Sequence, residues 1–191
     1  MECKLEKVTI YYEEYGEGYP ILMIHGFAPD HRLMKGCMEP VFKKKSNYKR
    51  IYFDLPGMGK TTAPKWLKSS DQILDIVLEF IDKMIPNEKF LIASESYGCY
   101  LARGVLLEKF GLVEGMLFIC PLIIPIPEER DLPKIFEPII KDVEFVSTLS
   151  PLDAQELKES LIIQTRDIWE RFRNEFILIC QEWAKLRHQN G

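Results

Sequence analysis

Between the apolar run Phe90 to Ala93 and a helix-length segment opening at Tyr97 lies the stretch Ala93-Ser94-Glu95-Ser96-Tyr97-Gly98. A serine in a strand-turn-helix bend of the form Gly-x-Ser-x-Gly can be held out as a nucleophile. The small residues two before and two after it leave room for a strained backbone. Ser94 replaces the first glycine of that pattern and Gly98 supplies the second. Ser96 would serve equally as the N-cap of the following helix, a commoner use of serine. Taken alone, the segment does not separate nucleophile from cap.

A second segment bears on the choice. Ile21-Leu22-Met23-Ile24 is an apolar strand pattern running into His25-Gly26-Phe27 and then into what reads as a polar loop. A serine acting on a carbonyl needs two fixed N–H donors for the oxyanion, one from the residue after the nucleophile and one from a loop after an earlier strand. Tyr97 and Phe27 stand in those places, and Gly26 lets the loop backbone approach closely where a side chain would intrude. The substrate-contacting set on this reading is Gly26, Phe27 and Tyr97, with Ser96 as the reacting group. His25 reads as a structural histidine that holds its loop by hydrogen bonds, because a general base in this arrangement follows the serine in the chain.

The third segment, Asp54-Leu55-Pro56-Gly57-Met58-Gly59-Lys60-Thr61, imitates the end of a phosphate-binding loop. That motif needs glycine where Asp54 stands and a helix starting at the lysine, whereas Pro64 follows here. The residues read instead as a tight turn after a strand, with Asp54 capping N–H groups of the glycine-rich loop.

These segments need a scaffold, and the pattern supplies one. Lys7 to Tyr12 alternates like a hairpin strand at a sheet edge. Ile21 to Ile24, Arg50 to Phe53, Phe90 to Ala93 and Gly115 to Cys120 have the near-continuous apolar character of strands buried on both faces. Asp71 to Ile85 repeats apolar residues at helical spacing, and Tyr97 to Phe110 forms a second helix stopped by Gly111. The expectation is an α/β fold, a three-layer sandwich with a mostly parallel sheet and helices on both faces. After Cys120 the texture changes to prolines and then helix-like sequence. From Thr165 onward Trp169, Phe172, Phe176, Ile179, Trp183 and Leu186 recur at steps of three or four, as on one long amphipathic helix. Residues 1–120 thus read as core and 121–191 as a helical cap.

The 191 residues, 47% apolar and 28% charged, describe an ordinary globular domain, and a formal charge of -4 is a poor match to nucleic acid. Cys3, Cys37, Cys99, Cys120 and Cys180 fall singly in apolar contexts, without a CxxC pair or histidines at metal-ligand spacing. They read as buried thiols in a reducing, cytoplasmic setting, with no metal, no cofactor and no membrane span expected. Lys43-Lys44-Lys45, with Lys49 and Arg50, reads as a solvated surface before a strand, Cys99 as a small core residue, and the aromatic stripe after Thr165 as cap packing.

Taken in order, the Lys7 hairpin, His25-Gly26-Phe27, Asp54 to Thr61, Ser94 to Gly98 and Met116 to Pro121 resemble the α/β-hydrolase superfamily, in the large bacterial branch that carries a helical cap. The resemblance implies a serine nucleophile at Ser96, an oxyanion hole from Phe27 and Tyr97, and a pocket for a small-molecule ester or amide roofed by residues from Pro121 onward. Serine at the bend argues against the dehalogenase and epoxide-hydrolase branches, which use aspartate there. The resemblance also implies two further strands carrying a catalytic acid and a histidine, and the pattern in these 191 residues stops before either. After Ser96 the only histidine is His188, near the end of the long helical stretch. On this reading the chain alone is nearly inert. It is an N-terminal portion of a longer protein, or is completed by a separate chain covering the apolar edge of the Gly115 to Cys120 strand, or is a degenerate relative that only binds.

Overall fold

The computed structural model describes residues 1–131 and 137–189, with the side chains of 183 and 186–189 left aside. The short apolar runs form strands as their composition dictates. They are β1 (Glu2–Lys4), β2 (Thr9–Tyr15), β3 (Tyr19–Ile24), β4 (Tyr48–Phe53), β5 (Phe90–Glu95) and β6 (Val113–Ile119). They join in one sheet in the order β1-β2-β4-β3-β5-β6. Pairings β1/β2 and β2/β4 are antiparallel, and β4/β3, β3/β5 and β5/β6 are parallel. The Lys7 to Tyr12 segment therefore does not form the edge. The three-residue β1, too short to show a period, pairs with β2 and takes that place.

The alternation of β3 sorts the two faces. Leu22 and Ile24 join Ile51 and Phe53 of β4 in a core shared with α2 (Ser70–Met84) and α3 (Tyr97–Glu108). Ile21 and Met23 join Tyr52 on the other face, against Met34 and Met38 of α1 (His31–Phe42). Helices thus lie on both faces, and the three-layer α/β expectation holds. Helix α1 occupies the segment read as a polar loop. Its buried stripe is only His31, Met34 and Met38, and Gly36 and Pro40 interrupt the pattern, so periodicity alone does not reveal it. Asp30 starts the helix by accepting the Arg32 N–H, as Ser69 does for Gln72 in α2.

The chain divides into two compact units, residues 1–123 with 179–191, and residues 124–178; the sequence pattern drew its line after residue 120. The second unit contains α4 (Val143–Ser147), α5 (Pro151–Ser160) and α6 (Arg166–Phe172), begun by the side chains of Asp142 and Ser150 in the first two cases. Phe145, Leu157 and Trp169 are its buried centre. Two parallel two-residue strands, β7 (Ile140–Lys141) and β8 (Ile163–Gln164), interrupt the helices and have no counterpart in the sequence reading. The long helix expected from Thr165 is present in segments: α6, a π-helical turn over Arg173–Ile177, and α7 (Leu178–Gln189). Trp169 of the aromatic stripe is buried and Phe172 packs against it, whereas the side chains of Trp183, Leu186 and His188 lie outside the described ones. Among the described residues no helix is long and apolar enough to cross a membrane.

Phe80 is fully buried, with its ring stacked on Phe53 at 4.7 Å. Phe80→Ala is expected to lower the unfolding free energy by about 3–5 kcal/mol in a urea titration, the cost of a cavity at a site packed on several sides.

Candidate active site

Strand β5 ends at Glu95 and α3 starts at Tyr97, so Ser96 alone makes the joint. Its backbone sits at φ +49°, ψ -115°, a conformation that L-residues rarely adopt. It occupies the N-cap position, yet its side chain makes no capping hydrogen bond. The caps of α1, α2, α4 and α5 do make one. The bend is held by its main chain instead: the Ser96 N–H donates to Ile119 O at 3.0 Å, and Ser96 O accepts from the N–H groups of Cys99 and Leu122. The Tyr97 N–H, in the first turn of α3, belongs to the set that a helix leaves without an internal acceptor.

Glycine is required at two positions here. A Cβ on Gly98 would collide with the carbonyl oxygens of Ile24 and His25, so α3 can approach β3 only without a side chain at that point. A Cβ on Gly26 would run into the Glu95 carboxylate and come within 3.1 Å of Ser96 Cβ. The loop after β3 and the bend after β5 are thereby pressed together, and Gly26, Phe27, Ser96 and Tyr97 share one neighbourhood. The rings of Phe27 and Tyr97 meet edge to face at 5.9 Å, and the Tyr97 hydroxyl donates to Ser70 Oγ at 2.9 Å. Both rings line a cleft of about 370 Å³ whose other walls include Pro56, Met58, Leu67 and Ile73. Strain is concentrated around this place: Ala28, Ser96 and Cys120, which follow the ends of β3, β5 and β6, all have positive φ.

The residues around Ser96 take supporting roles. Ser94 is buried and bonds Cys99 Sγ and Leu117 O; Cys99 is fully buried, as a core residue should be. Burial pushes the Cys99 thiol pKa up, and burial followed by the nearby Glu95 pushes Cys120 up to about 11, so neither is a ready nucleophile. All five cysteines are free, but Cys37 and Cys120 are exposed and Cys180 is half-buried, which corrects the reading of all five as buried thiols. The two exposed ones lie on a helix surface and at a strand end, where a single apolar neighbour in sequence says little about burial. Glu95 does not pack away from the bend. Its carboxyl lies against Gly26, its Oε2 is buried without a hydrogen-bond partner, and burial raises its pKa against the pull of Cys120 and the Gly26 main chain.

His25 is fully buried and structural. Its Nε2 accepts the Leu55 N–H at 2.9 Å, so the proton sits on Nδ1, which donates to Gly26 O at 2.7 Å. Burial first of all lowers its pKa and keeps it neutral. Asp54 is likewise buried. It takes the Lys60 N–H of the glycine-rich loop at 2.8 Å, as expected, but its other oxygen goes to His31. No helix starts at Lys60, and its ammonium lies over the Tyr11 ring, so the phosphate-loop likeness is superficial. Lys43, Lys44 and Lys45 are exposed as read, while Arg50 is paired with Glu39.

The sequence reading passed over His31. It is buried, with Nδ1 2.6 Å from Asp54 Oδ1 and Nε2 3.3 Å from Glu13 Oε1. Its only sequence signal is its place after the helix-capping Asp30. Asp30, His31 and Asp54 bring three metal-type donor atoms within 4.8 Å of one another. They do not form a tetrahedral metal set, in which bonds of about 2.0–2.1 Å keep two ligand atoms more than about 3 Å apart: His31 Nδ1 and Asp54 Oδ1 are 2.6 Å apart and share a hydrogen bond. Asp30 is already held by the Arg32 guanidinium.

A mostly parallel sheet, helices on both faces and a strained serine at a strand-to-helix joint are the marks of an α/β hydrolase core. Residues 21–186 match the model of the alpha/beta hydrolase family, and the chain belongs to that family. Among curated relatives it is 28% identical over 159 residues to a pimeloyl-[acyl-carrier protein] methyl ester esterase of Legionella pneumophila, covering 82% of this chain and 59% of that protein. A solved α/beta superfamily hydrolase from Oenococcus oeni superimposes with a TM-score of 0.75 at 26% identity, over 93% of this chain and 64% of that one. A thermophilic esterase from Thermogutta terrifontis, 18% identical, shares the fold with a TM-score of 0.53 over 88% of this chain and 49% of that one. The chain thus spans less than two thirds of the length of these three relatives.

Gly98→Ala is expected to lower stability by about 1–3 kcal/mol in chemical denaturation, because the obstructing atoms are main-chain carbonyls that cannot turn aside. Gly111→Ala, where a Cβ meets nothing within 4 Å, should be neutral or stabilising by up to about 1 kcal/mol.

Proposed function

We propose that the chain is the core of a serine hydrolase acting on a small carbonyl substrate of ester or amide type through an acyl-enzyme at Ser96. The observation that carries this is the backbone of Ser96: a positive φ at a helix N-cap whose hydroxyl does no capping. Such strain persists only where the surroundings enforce it, and it leaves Oγ available for chemistry. Ser96 Oγ attacks the carbonyl carbon and forms the new C–O bond, its proton passing to a base. The N–H groups of Phe27 and Tyr97 hold the oxyanion. The C–O or C–N bond to the leaving group then breaks as that group takes a proton, and water repeats the attack to release the acid and restore Ser96. The rings of Phe27 and Tyr97, with Gly26 beneath, form the wall on which substrate lies. The methyl ester esterase relative supports ester cleavage. No cofactor enters this chemistry, and the five free thiols support a reducing, cytoplasmic setting.

Among the described residues no histidine nitrogen bonds Ser96 Oγ, since both ring nitrogens of His25 and of His31 are engaged elsewhere. On this reading the acid and base lie outside the described side chains, supplied by a further segment or partner chain laid along β6, and the 191 residues alone would be nearly inert. Among the described residues β6 pairs only with β5, in parallel, and its other edge is open in the sheet order. Beside it Leu117, Met116 and Gly115 line an apolar groove of about 350 Å³ with Met38, Val41 and Phe42 of α1, and Leu117 is 48% exposed. An apolar open strand of this kind requires cover. That no described side chain serves Ser96 as a base also favours a second reading, a catalytically inactive α/β-hydrolase-like binding module in which the bend survives as architecture.

A fluorophosphonate probe applied to the native protein from its source, with adducts mapped by mass spectrometry, separates the two. The enzyme reading expects stoichiometric modification of Ser96, none in Ser96→Ala, and a rate on the order of 10⁴-fold slower in the isolated 191-residue chain. No labelling of the native protein would leave the binding module.

A further inference from the structure

His31 lies outside the bend itself, yet a continuous set of short bonds connects it to the loop that presents Phe27. Its main-chain N–H and its Nδ1 both reach Asp54 Oδ1, at 2.9 and 2.6 Å. The residue after Asp54 donates its N–H to His25 Nε2 at 2.9 Å, and His25 Nδ1 holds Gly26 O at 2.7 Å. On its other side His31 Nε2 faces Glu13 Oε1 at 3.3 Å. The imidazole joins β2, through Glu13, to the residue that follows β4, Asp54, and the next residue, Leu55, carries the connection to His25 after β3.

We propose that His31 is a positioning residue, clamped between Asp54 and Glu13, that fixes the Gly26–Phe27 loop and makes acyl transfer at Ser96 depend on its protonation. The coupling to Ser96 rests on the hydrolase reading above, whereas the clamp rests on geometry alone. With both ring nitrogens protonated, His31 donates from Nδ1 to Asp54, and its positive charge pairs with the Glu13 carboxylate 3.3 Å from Nε2. Loss of one proton removes that charge and leaves Asp54 and Glu13 as two carboxylates about a neutral ring, so the attraction that holds the strut is lost.

The groups facing His31 set the direction. Asp30, Arg32 and Lys35 belong to α1 and its cap, Glu13 and the Tyr11 ring to β2, Asp54 and Lys60 to β4 and its loop. His25 comes from the β3 loop, and Glu182 from α7 by way of Arg32. Burial alone would lower the His31 pKa, but the bond to Asp54 and the charges of Asp54, Asp30 and Glu13 outweigh it, so the value is raised above 6.5. For Asp54 burial is likewise outweighed by the His31 bond and charge, and its pKa is lowered. For Glu13 burial is outweighed by Lys35, Tyr15, His31 and Tyr11, which bring it to about 2.

A raised histidine pKa contributes stability that is complete below its unfolded value and is lost as pH climbs through the folded one. The lowered carboxylates contribute above their unfolded values and lose it as pH falls through the folded ones. The clamp therefore contributes most between the ordinary carboxylate range and about 6.5, the ordinary value of His31, and its contribution is lost as pH climbs from there through the folded pKa. His25, lowered by burial, adds a slope of opposite sign that lies below its ordinary value of 6.5, on the acid side of the His31 loss.

The test is NMR titration of the His31 ring in the wild-type chain from about pH 6.5 to about 8.5, with amide exchange at Leu55 and Lys60 corrected for intrinsic base catalysis. The expected result is a His31 midpoint above 6.5, with exchange at both amides faster by about tenfold across it. In the native protein the fluorophosphonate rate at Ser96 should fall with the same midpoint. Glu13→Gln should move that midpoint to lower pH, and His31→Gln should exchange at the high-pH rate throughout. The wild-type measurements stand even if His31→Gln does not fold. A midpoint at or below 6.5, or exchange that ignores the His31 titration, overturns the clamp. A Ser96 rate indifferent to the His31 titration overturns the coupling. Exchange that follows His31 while Ser96 is never labelled keeps the clamp and removes the hydrolase reading.

Discussion

A φ of +49° at Ser96 is sustained because the chain around it has nowhere else to go. The β5 strand is locked on both sides by β3 and β6, α3 is pulled down on β3 at Gly98, and the Ser96 N–H is anchored to Ile119. The backbone strain, of order 1–3 kcal/mol, is carried by this packing and not by any bond of the serine side chain. Because the joint has only one residue, Ser96 sits directly between the end of β5 and the first-turn N–H groups of α3, that of Tyr97 being the first. The loop after β3 closes the other side, and Gly26 is the residue that lets it come so near. Every proposed chemical role in the chain depends on that close approach of two turns.

The polar groups beneath this surface are buried, and each needs a partner. A neutral His25 satisfies one N–H and one carbonyl, a task for which the two unlike nitrogens of neutral imidazole are suited. Asp54 accepts from three N–H groups, which is why a carboxylate can remain ionised at zero exposure. Glu95 is the exception, a carboxyl with one buried oxygen unpartnered, and burial moves it toward its neutral form. The contrast shows how finely the ends of β3, β4 and β5 are balanced electrostatically. At the other end of the sheet β6 is apolar and, among the described residues, pairs with β5 alone, with an apolar groove between it and α1.

Much of the scaffold was legible before any coordinates. Five of the six strands in the main sheet and the two helices α2 and α3 were visible from apolar runs and 3.6-residue spacing, because their own side chains make the core. The small residues around Ser96, and Gly26 before Phe27, also announced themselves, since steric need at a tight turn is written in residue size. The elements that escaped were those held by something outside themselves. β1 is three residues long and exists only as a partner of β2. Helix α1 buries a sparse stripe, and β7 and β8 need each other.

The sequence by itself determined the α/β layering, the serine at the strand-to-helix joint and the glycines that make the joint possible. These follow from local volume and period, which a single segment carries in its own residues. Only the tertiary structure decided that Ser96 leaves its helix uncapped, that Glu95 packs inward against Gly26, and that His31 joins Glu13 to Asp54. Those partners stand 18 and 23 residues away in the chain on either side of it, and their interaction is a matter of distance and burial across strands. No pattern along one segment encodes that.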